Sequence, residues 1–169
     1  MPIDDSDKAE PARPEIDGRL AVLQAWSAWL TSLPETAPHR LWLVDGDFSD
    51  WPFDTTEVLS ALTRWARLPA RRMLWIGQDF EALAQRQPRL AAWRRDFAHV
   101  VEAYGPAPQE RLDWPCWLMS ERHAIVLADR AHWRGHNLHT AAELRALREG
   151  VDGLLQRCEP AWPAHVLGL

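Results

Sequence analysis

Residues 41–76, LWLVDGDFSDWPFDTTEVLSALTRWARLPARRMLWI, decide the fold. Two short apolar runs, 41–44 and 73–76, lie at its ends and have the length and composition of strands that are buried on both faces. Between them, a capping-box pair formed by Asp54 and Glu57 precedes apolar residues at helical spacing. The helix is about as long as a parallel crossover needs, so the stretch predicts a strand–helix–strand unit with parallel strands.

The same patterns extend to both sides of this unit. Helices are predicted at 16–33, 54–68, 79–97 with a break near Pro88, and 140–158, and strands at 41–44, 73–76, 99–104, 116–120 and 124–128. The last two strands flank a three-residue turn, a spacing that suits an antiparallel hairpin. We therefore predict an α/β fold, a single domain over 16–169 with a mixed parallel and antiparallel sheet flanked by helices. A disordered tail, 1–15, precedes it.

The composition suits one globular domain, with 169 residues of which 47% are hydrophobic and 25% charged. No run approaches the roughly 18 apolar residues that span a bilayer, and the acidic N-terminus is unlike a signal peptide. We therefore expect a cytoplasmic protein without membrane contact. The net charge of −5 argues against a polyanion binder, so nucleic acid is not an expected partner.

Lysine and tryptophan are used unusually. Lys8 is the only lysine and lies in the predicted tail, so the folded domain offers no lysine for Schiff-base or phosphate-clamping chemistry. Most of the eleven tryptophans occupy apolar positions of helices and strands, which predicts a Trp-rich core. The two cysteines, Cys116 and Cys158, form no metal or redox motif and are expected to be reduced thiols.

Asp45 and Asp47 follow the first buried strand directly, where open α/β sheets bind ligands. A D-x-D pair there can hold magnesium and a phosphate, as in haloacid dehalogenase-like phosphatases. A magnesium-dependent phosphatase-like enzyme is therefore the alternative function. Against it, the expected downstream threonine or serine and the lysine are missing, and aspartates in such turns also serve as caps and turn formers.

The basic residues form two clusters on predicted helices: Arg64, Arg67, Arg71 and Arg72, and Arg86, Arg89, Arg94 and Arg95. We expect these side chains to be solvated or paired with Asp96 or Glu81, and a docking surface for an acidic ligand is the other interpretation. Histidines are concentrated near the hairpin, where His132 and His136 have the spacing of helical metal ligands. Because Gly135 separates them and no helical pattern surrounds them, we predict a polar loop, with no metal and no cofactor.

Several stretches carry a resemblance to a known family: FSDWPFDTTEVLSALTRWAR (48–67), RRMLWIGQDFEAL (71–83), FAHVVEAY (97–104), CWLMSERHAIVLADRAHW (116–133) and LLQRCEPAWPAHVLGL (154–169). From about Leu41 onward, roughly three quarters of the chain resembles a bacterial domain of unassigned activity whose fold is similar to one half of the phospholipase D superfamily. The resemblance implies a fold more than a function.

Phospholipase D enzymes carry an H-x-K-x4-D motif, and this chain departs from it. Asp129 occupies the aspartate position, but the lysine position is Ala124 and the histidine position is Arg122. His123 is one residue away and would point to the opposite face of a strand. With neither nucleophile nor lysine in place, the resemblance implies a pseudoenzyme.

The sequence therefore favours a non-catalytic phospholipase D-like module for binding or assembly over an enzyme. The expected partners are a partner protein, a small anionic ligand, or a second copy in a homodimer, since phospholipase D enzymes pair two such halves. Trp117 and Met119 are candidates for the dimer contact. The candidate binding residues are Asp45, Asp47, Gln78, Asp79, Tyr104, Arg122 and Asp129.

Overall fold

In the computed structural model, which describes residues 15–164, eight strands form one mixed sheet with the order β1-β7-β6-β5-β2-β3-β4-β8. The strands are β1 (Glu15–Asp17), β2 (Arg40–Val44), β3 (Arg72–Ile76), β4 (Val101–Pro106), β5 (Trp117–Ser120), β6 (Ala124–Asp129), β7 (Arg134–Leu138) and β8 (Cys158–Pro160). β2, β3 and β4 are parallel, and the other pairings are antiparallel. The predicted α/β class with a mixed sheet is confirmed.

Helices cover the two faces of the sheet unequally. They are α1 (Arg19–Thr31), α2 (Leu33–Thr36), α3 (Thr56–Ala66), α4 (Phe80–Arg86), α5 (Pro88–Asp96) and α6 (Ala141–Leu155). The first five pack with Leu41, Leu43 and Trp75 into the larger hydrophobic cluster. On the second face, Val44 and Ile76 belong to a smaller cluster in which α6 is the one contributing helix among the described residues.

Local signals in the sequence identify most helix ends. Asp79 caps α4 by accepting a hydrogen bond from the amide of Ala82 at 2.8 Å, and Pro88 begins α5. Thr140 and Glu143 form a reciprocal capping box at the start of α6, as predicted. At α3 the predicted N-cap residue was wrong by one position.

The cap of α3 is Thr55, whose hydroxyl accepts a hydrogen bond from the amide of Val58. Asp54 instead accepts a hydrogen bond from the amide of Leu90 at 2.9 Å, which ties the start of α3 to α5. The capping-box pattern therefore identified the beginning of the helix but assigned the wrong side chain to it.

Three short strands were missed at the sheet's margins. Ile16 and Asp17, predicted as the start of the first helix, belong instead to β1, which pairs antiparallel with β7, and β7 itself replaces the predicted polar loop. Cys158, predicted on the last helix, lies in β8, because α6 ends at Leu155. Strands of three to five residues with mixed polarity carry little periodic signal, and their hydrogen bonds to neighbouring strands define them.

The predicted Trp-rich core is present. Six tryptophans are buried, and the other five, including Trp42, Trp114 and Trp117, are partly buried. Of the predicted tail, only Glu15 lies within the described residues, where it belongs to β1. Residues 15–164 contain no helix long and apolar enough to cross a membrane.

Candidate functional site

The predicted binding residues fall at both edges of the sheet. Asp45, Asp47, Gln78 and Asp79 follow β2 and β3 at what we call the carboxyl-terminal edge of the parallel strands. Arg122 lies in the turn between β5 and β6, at the opposite edge, because β5 runs antiparallel to β2. The predicted set is therefore two separate groups.

Asp45 organises the carboxyl-terminal edge. Its side chain is completely buried, and its Oδ2 accepts hydrogen bonds from the indole nitrogen of Trp51 at 2.6 Å and from Sγ of Cys116 at 3.6 Å. Its Oδ1 accepts a charge-assisted hydrogen bond from Nη1 of Arg130. The carboxylate is thus held by three donors, as a buried charge requires.

The pKa values around Asp45 follow from this arrangement. Burial raises the pKa of the Cys116 thiol, and the negative charge of Asp45 raises it further, so Cys116 stays protonated and inert as a nucleophile. For Arg130, burial alone would lower the pKa of the guanidinium. The hydrogen bond and charge of Asp45 outweigh burial and raise that pKa.

A cleft of about 400 Å³ lies above Asp45, lined by Gly46, Asp47, Gln78, Asp79 and Arg130. The polar side chains in it have partners in the protein. Asp47 accepts a hydrogen bond from the amide of Ser49, Asp79 caps α4, and Gln78 accepts one from the indole of Trp114. Burial would raise the pKa of Asp47, but its hydrogen bonds from Ser49 prevail and lower it.

These contacts argue against a magnesium site at Asp45 and Asp47, which the alternative phosphatase-like function would require. The carboxylate oxygens of Asp45 already accept hydrogen bonds from Trp51, Cys116 and Arg130. Among residues 15–164, no cluster of three or more histidine, cysteine or acidic side chains could hold a metal ion. In the D-x-D pattern, Asp45 forms a buried ion pair with Arg130, and Asp47 accepts a hydrogen bond from Ser49 in the following turn.

The two other predicted residues at this edge have local roles. Tyr104 lies near the end of β4, where it pairs with Ile76 on one side and Pro160 on the other. Asp129 accepts hydrogen bonds from both the ring and the amide of His132, and these hydrogen bonds lower the pKa of the carboxyl.

The positions of the H-x-K-x4-D motif do not converge. Arg122 and Asp129 lie at opposite ends of β6, and Ala124 is buried. Nδ1 of His123 accepts a hydrogen bond from the indole of Trp29 at 2.8 Å, so its Nε2 carries the proton and donates to Asn137. Burial lowers the pKa of His123, which is therefore a neutral, fully bonded ring and not a free nucleophile.

The amino-terminal edge of the parallel strands is rich in arginine and histidine side chains. We call the following residues the basic edge: His39, Arg40, Arg64, Arg67, Arg71, Arg72, His99 and Arg122. They come from the segments that precede β2, β3 and β4, from the end of α3 and from the β5–β6 turn. Glu35, Glu102 and Glu121 are the acidic side chains that contact this set.

Contacts within the basic edge connect its members. Nη1 of Arg71 lies 2.6 Å from Nδ1 of His39, and Arg40 and Arg72 are direct neighbours in the pairing of β2 with β3. A groove of about 460 Å³ beside them is lined by Arg67, Arg71, Arg72 and His99 together with the loop that enters β3. These basic side chains therefore form a strip along the edge, and Arg122 joins it in a groove that it lines together with His39.

Most of this strip is not neutralised by carboxylates. Glu35 pairs with Arg64 at 3.7 Å and Glu102 pairs with Arg72 at 2.8 Å, whereas Glu121 accepts a hydrogen bond from the backbone amide of Arg40. Four arginines of the strip have no ion pair with a carboxylate of residues 15–164: Arg40, Arg67, Arg71 and Arg122. An acidic chain thus concentrates unpaired guanidinium groups at one edge.

The sequence indicated part of this edge. The cluster from Arg64 to Arg72 was recognised as basic, but its expected partners were wrong, because the observed pairs are with Glu35 and Glu102. In the second cluster, Arg94 is buried under Trp162 and is not solvated. His39 precedes one predicted parallel strand as Arg71 precedes the other, so the strand prediction could have placed it at this edge, whereas Arg122 joins the strip through the antiparallel pairing of β5 with β2.

No protein-family model matches the chain, and no curated protein matches it. Among solved structures, the chain is similar to TrmBL2, an archaeal chromatin protein whose structure shows a novel mode of DNA binding. The TM-score is 0.62 at 9% sequence identity, and the match covers 95% of this chain. It spans 57% of the length of TrmBL2, and at this identity the likeness shows a shared fold.

This comparison corrects two predictions from the sequence. The expected function, a non-catalytic phospholipase D-like module with a magnesium-dependent phosphatase as the alternative, is contradicted by a fold neighbour that is a DNA-binding chromatin protein. The expected partners are contradicted as well, since nucleic acid had been set aside in favour of a homodimer, a partner protein or a small anionic ligand. The error arose from using net charge, which does not report how the charges are distributed.

Proposed function

We propose that this chain binds nucleic acid, and DNA in particular, through the basic edge. The observation that carries the proposal is the strip of arginines at one edge of an otherwise acidic protein, four of which have no carboxylate partner among residues 15–164. Guanidinium groups bind phosphate through two parallel hydrogen bonds, and each phosphate that they neutralise releases condensed counterions. The DNA binding of TrmBL2, which shares the fold, supports this choice of ligand.

The charge distribution favours binding at one edge of the sheet over the other. Asp45, Asp47 and Asp50 share Arg130 at the carboxyl-terminal edge, whereas arginines of the basic edge have no carboxylate partner among residues 15–164, so a polyanion is attracted to the basic edge in preference. Since the contacts available are to phosphates, we expect affinity with little sequence preference. This activity fits the cytoplasmic location that the sequence predicts.

Fluorescence anisotropy with a labelled DNA duplex tests the proposal. Arg67 and Arg122 are exposed members of the basic edge that pair with no carboxylate of residues 15–164, so replacing both with alanine removes charge without opening the core. We expect the double variant to bind DNA at least about tenfold more weakly than wild type.

The matched control removes the same charge from the other edge. Arg86 and Arg111 are exposed, and each donates a hydrogen bond to a backbone carbonyl near the carboxyl-terminal edge. The Arg86→Ala/Arg111→Ala variant should bind DNA as wild type does. Absence of binding by wild type at low salt, or equal losses in the two double variants, would refute the proposed function.

A further inference from the structure

The second face of the sheet is only partly covered. Val44 and Ile76 lie under α6, but Trp42 and Leu74, two residues earlier on the same strands and on the same face, lie beyond the helix and are partly exposed. We call Trp42, Leu74 and the side chains around them, Arg40, Arg72 and Glu102, the open sheet patch. They line a shallow hollow of about 280 Å³.

Strand register gives the patch its shape. Trp42 on β2 pairs with Leu74 on β3, which pairs with Glu102 on β4, so the three side chains form one row across the parallel strands. Arg40 and Arg72 form the next row toward the amino-terminal edge. An aromatic ring therefore lies beside two guanidinium groups that also belong to the basic edge.

The charges of the patch are suited to an anion. Glu102 is paired with Arg72 at 2.8 Å, so the negative charge of its carboxylate is balanced within the patch. Arg40 keeps its guanidinium without a carboxylate partner among residues 15–164. A ligand that places an apolar ring on Trp42 and a negative group toward Arg40 would satisfy both surfaces.

Unpaired nucleotides have this combination of groups. A base has an aromatic face that stacks on tryptophan, and its phosphate lies one backbone step away. In a duplex the bases are stacked on one another and their faces are not available, so a sheet tryptophan selects single strands. Resting on the proposed function, we infer that the open sheet patch is a stacking site for an unpaired base of single-stranded DNA whose phosphates lie along the basic edge.

Anisotropy with a labelled 15-nucleotide oligothymidylate and a 15-base-pair duplex tests this inference. We expect wild type to prefer the single strand. Trp42→Leu should weaken binding of the single strand about 5- to 150-fold, the range for loss of one stacked base, and leave duplex binding within about twofold. Trp42→Phe keeps an aromatic face and should retain most of the affinity.

Trp114→Leu is the matched control, since Trp114 is a partly buried tryptophan that contacts Gln78 at the opposite edge. Thermal melting of each variant monitors the fold. If the variant Trp42→Leu loses no affinity for the single strand, or loses duplex binding equally, the patch is structural and the inference fails while DNA binding by the basic edge stands.

Three further outcomes are informative. If neither oligonucleotide binds, both the inference and the proposed function fail. If oligouridylate binds more tightly than oligothymidylate and Trp42→Leu weakens both, the stacking site is retained and RNA becomes its ligand. If sedimentation shows self-association that Trp42→Leu abolishes, without a preference for single strands, a second copy covers the patch and the inference is refuted.

Discussion

The indole nitrogen of Trp51 lies 2.6 Å from Oδ2 of Asp45, and both side chains are buried. Removing the carboxylate would leave that N–H group without its partner and would leave Arg130 with only the more distant carboxylates of Asp47 and Asp50. We expect Asp45→Ala to lower the free energy of unfolding by about 3 kcal/mol or more, as measured by urea denaturation.

Asp47→Ala is the control for this prediction. Asp47 is 46% exposed and lies 3.5 Å from Nη2 of Arg130, so its loss should cost less than about 1 kcal/mol. Equal costs for the two substitutions would show that Asp45 does not hold the carboxyl-terminal edge together.

Burial of the His123 ring makes stability depend on pH. Burial lowers the pKa of His123 in the folded state, while in the unfolded chain it is near 6.5. As pH falls, the unfolded chain therefore binds the proton first, and the free energy of unfolding declines from about pH 6.5 down to the lowered pKa.

Thermal melting of wild type and His123→Gln at pH 7.5 and pH 5 tests this sign. Glutamine can still accept a hydrogen bond but does not titrate. The melting temperature of wild type should fall more on acidification than that of the variant. His139, which stacks on His123 at 4.3 Å, is present in both proteins, so the comparison isolates the ring of His123. Parallel curves would contradict the prediction.

Substitutions at two glycines of α6 test how closely this helix packs on the sheet. A Cβ at Gly150 would lie 2.8 Å from the ring of Trp117, whereas a Cβ at Gly153 meets nothing within 4 Å. Gly153→Ala should raise the free energy of unfolding by about 0.5–1 kcal/mol, through helix propensity. Gly150→Ala should lower it by about 1 kcal/mol, because overpacking outweighs that gain. If urea denaturation showed that both substitutions raise the free energy of unfolding equally, α6 would not be tightly packed against Trp117.

The periodic parts of the sequence predicted the fold well. Long apolar stripes, Pro88 and the Thr140–Glu143 box determined the main helices, since each depends on residues within one or two turns. The edge strands β1 and β8 depend on partners distant in the chain, whereas β7 pairs with the preceding β6 but has mixed polarity without a strand pattern, and the sequence did not reveal these three strands. The resemblance to one half of the phospholipase D fold stays a prediction.

The candidate site was harder to predict. Aspartates after β2 correctly marked a strand end, but their partner Arg130 comes from 85 residues away along the chain. The basic edge combines Arg122 with His39 and the arginines around β3, and only the antiparallel return of β5 brings Arg122 to their side. Net charge, a sum over the whole chain, concealed this separation of charges.

The salt dependence of DNA binding tests the central claim most directly. If the four arginines Arg40, Arg67, Arg71 and Arg122 each neutralise a phosphate, a plot of log Kobs against log [NaCl] for a duplex should have a slope of about −3 to −4. The Arg67→Ala/Arg122→Ala variant should have a slope shallower by about 2. A wild-type slope near zero, or the same slope in wild type and variant, would contradict binding at the basic edge.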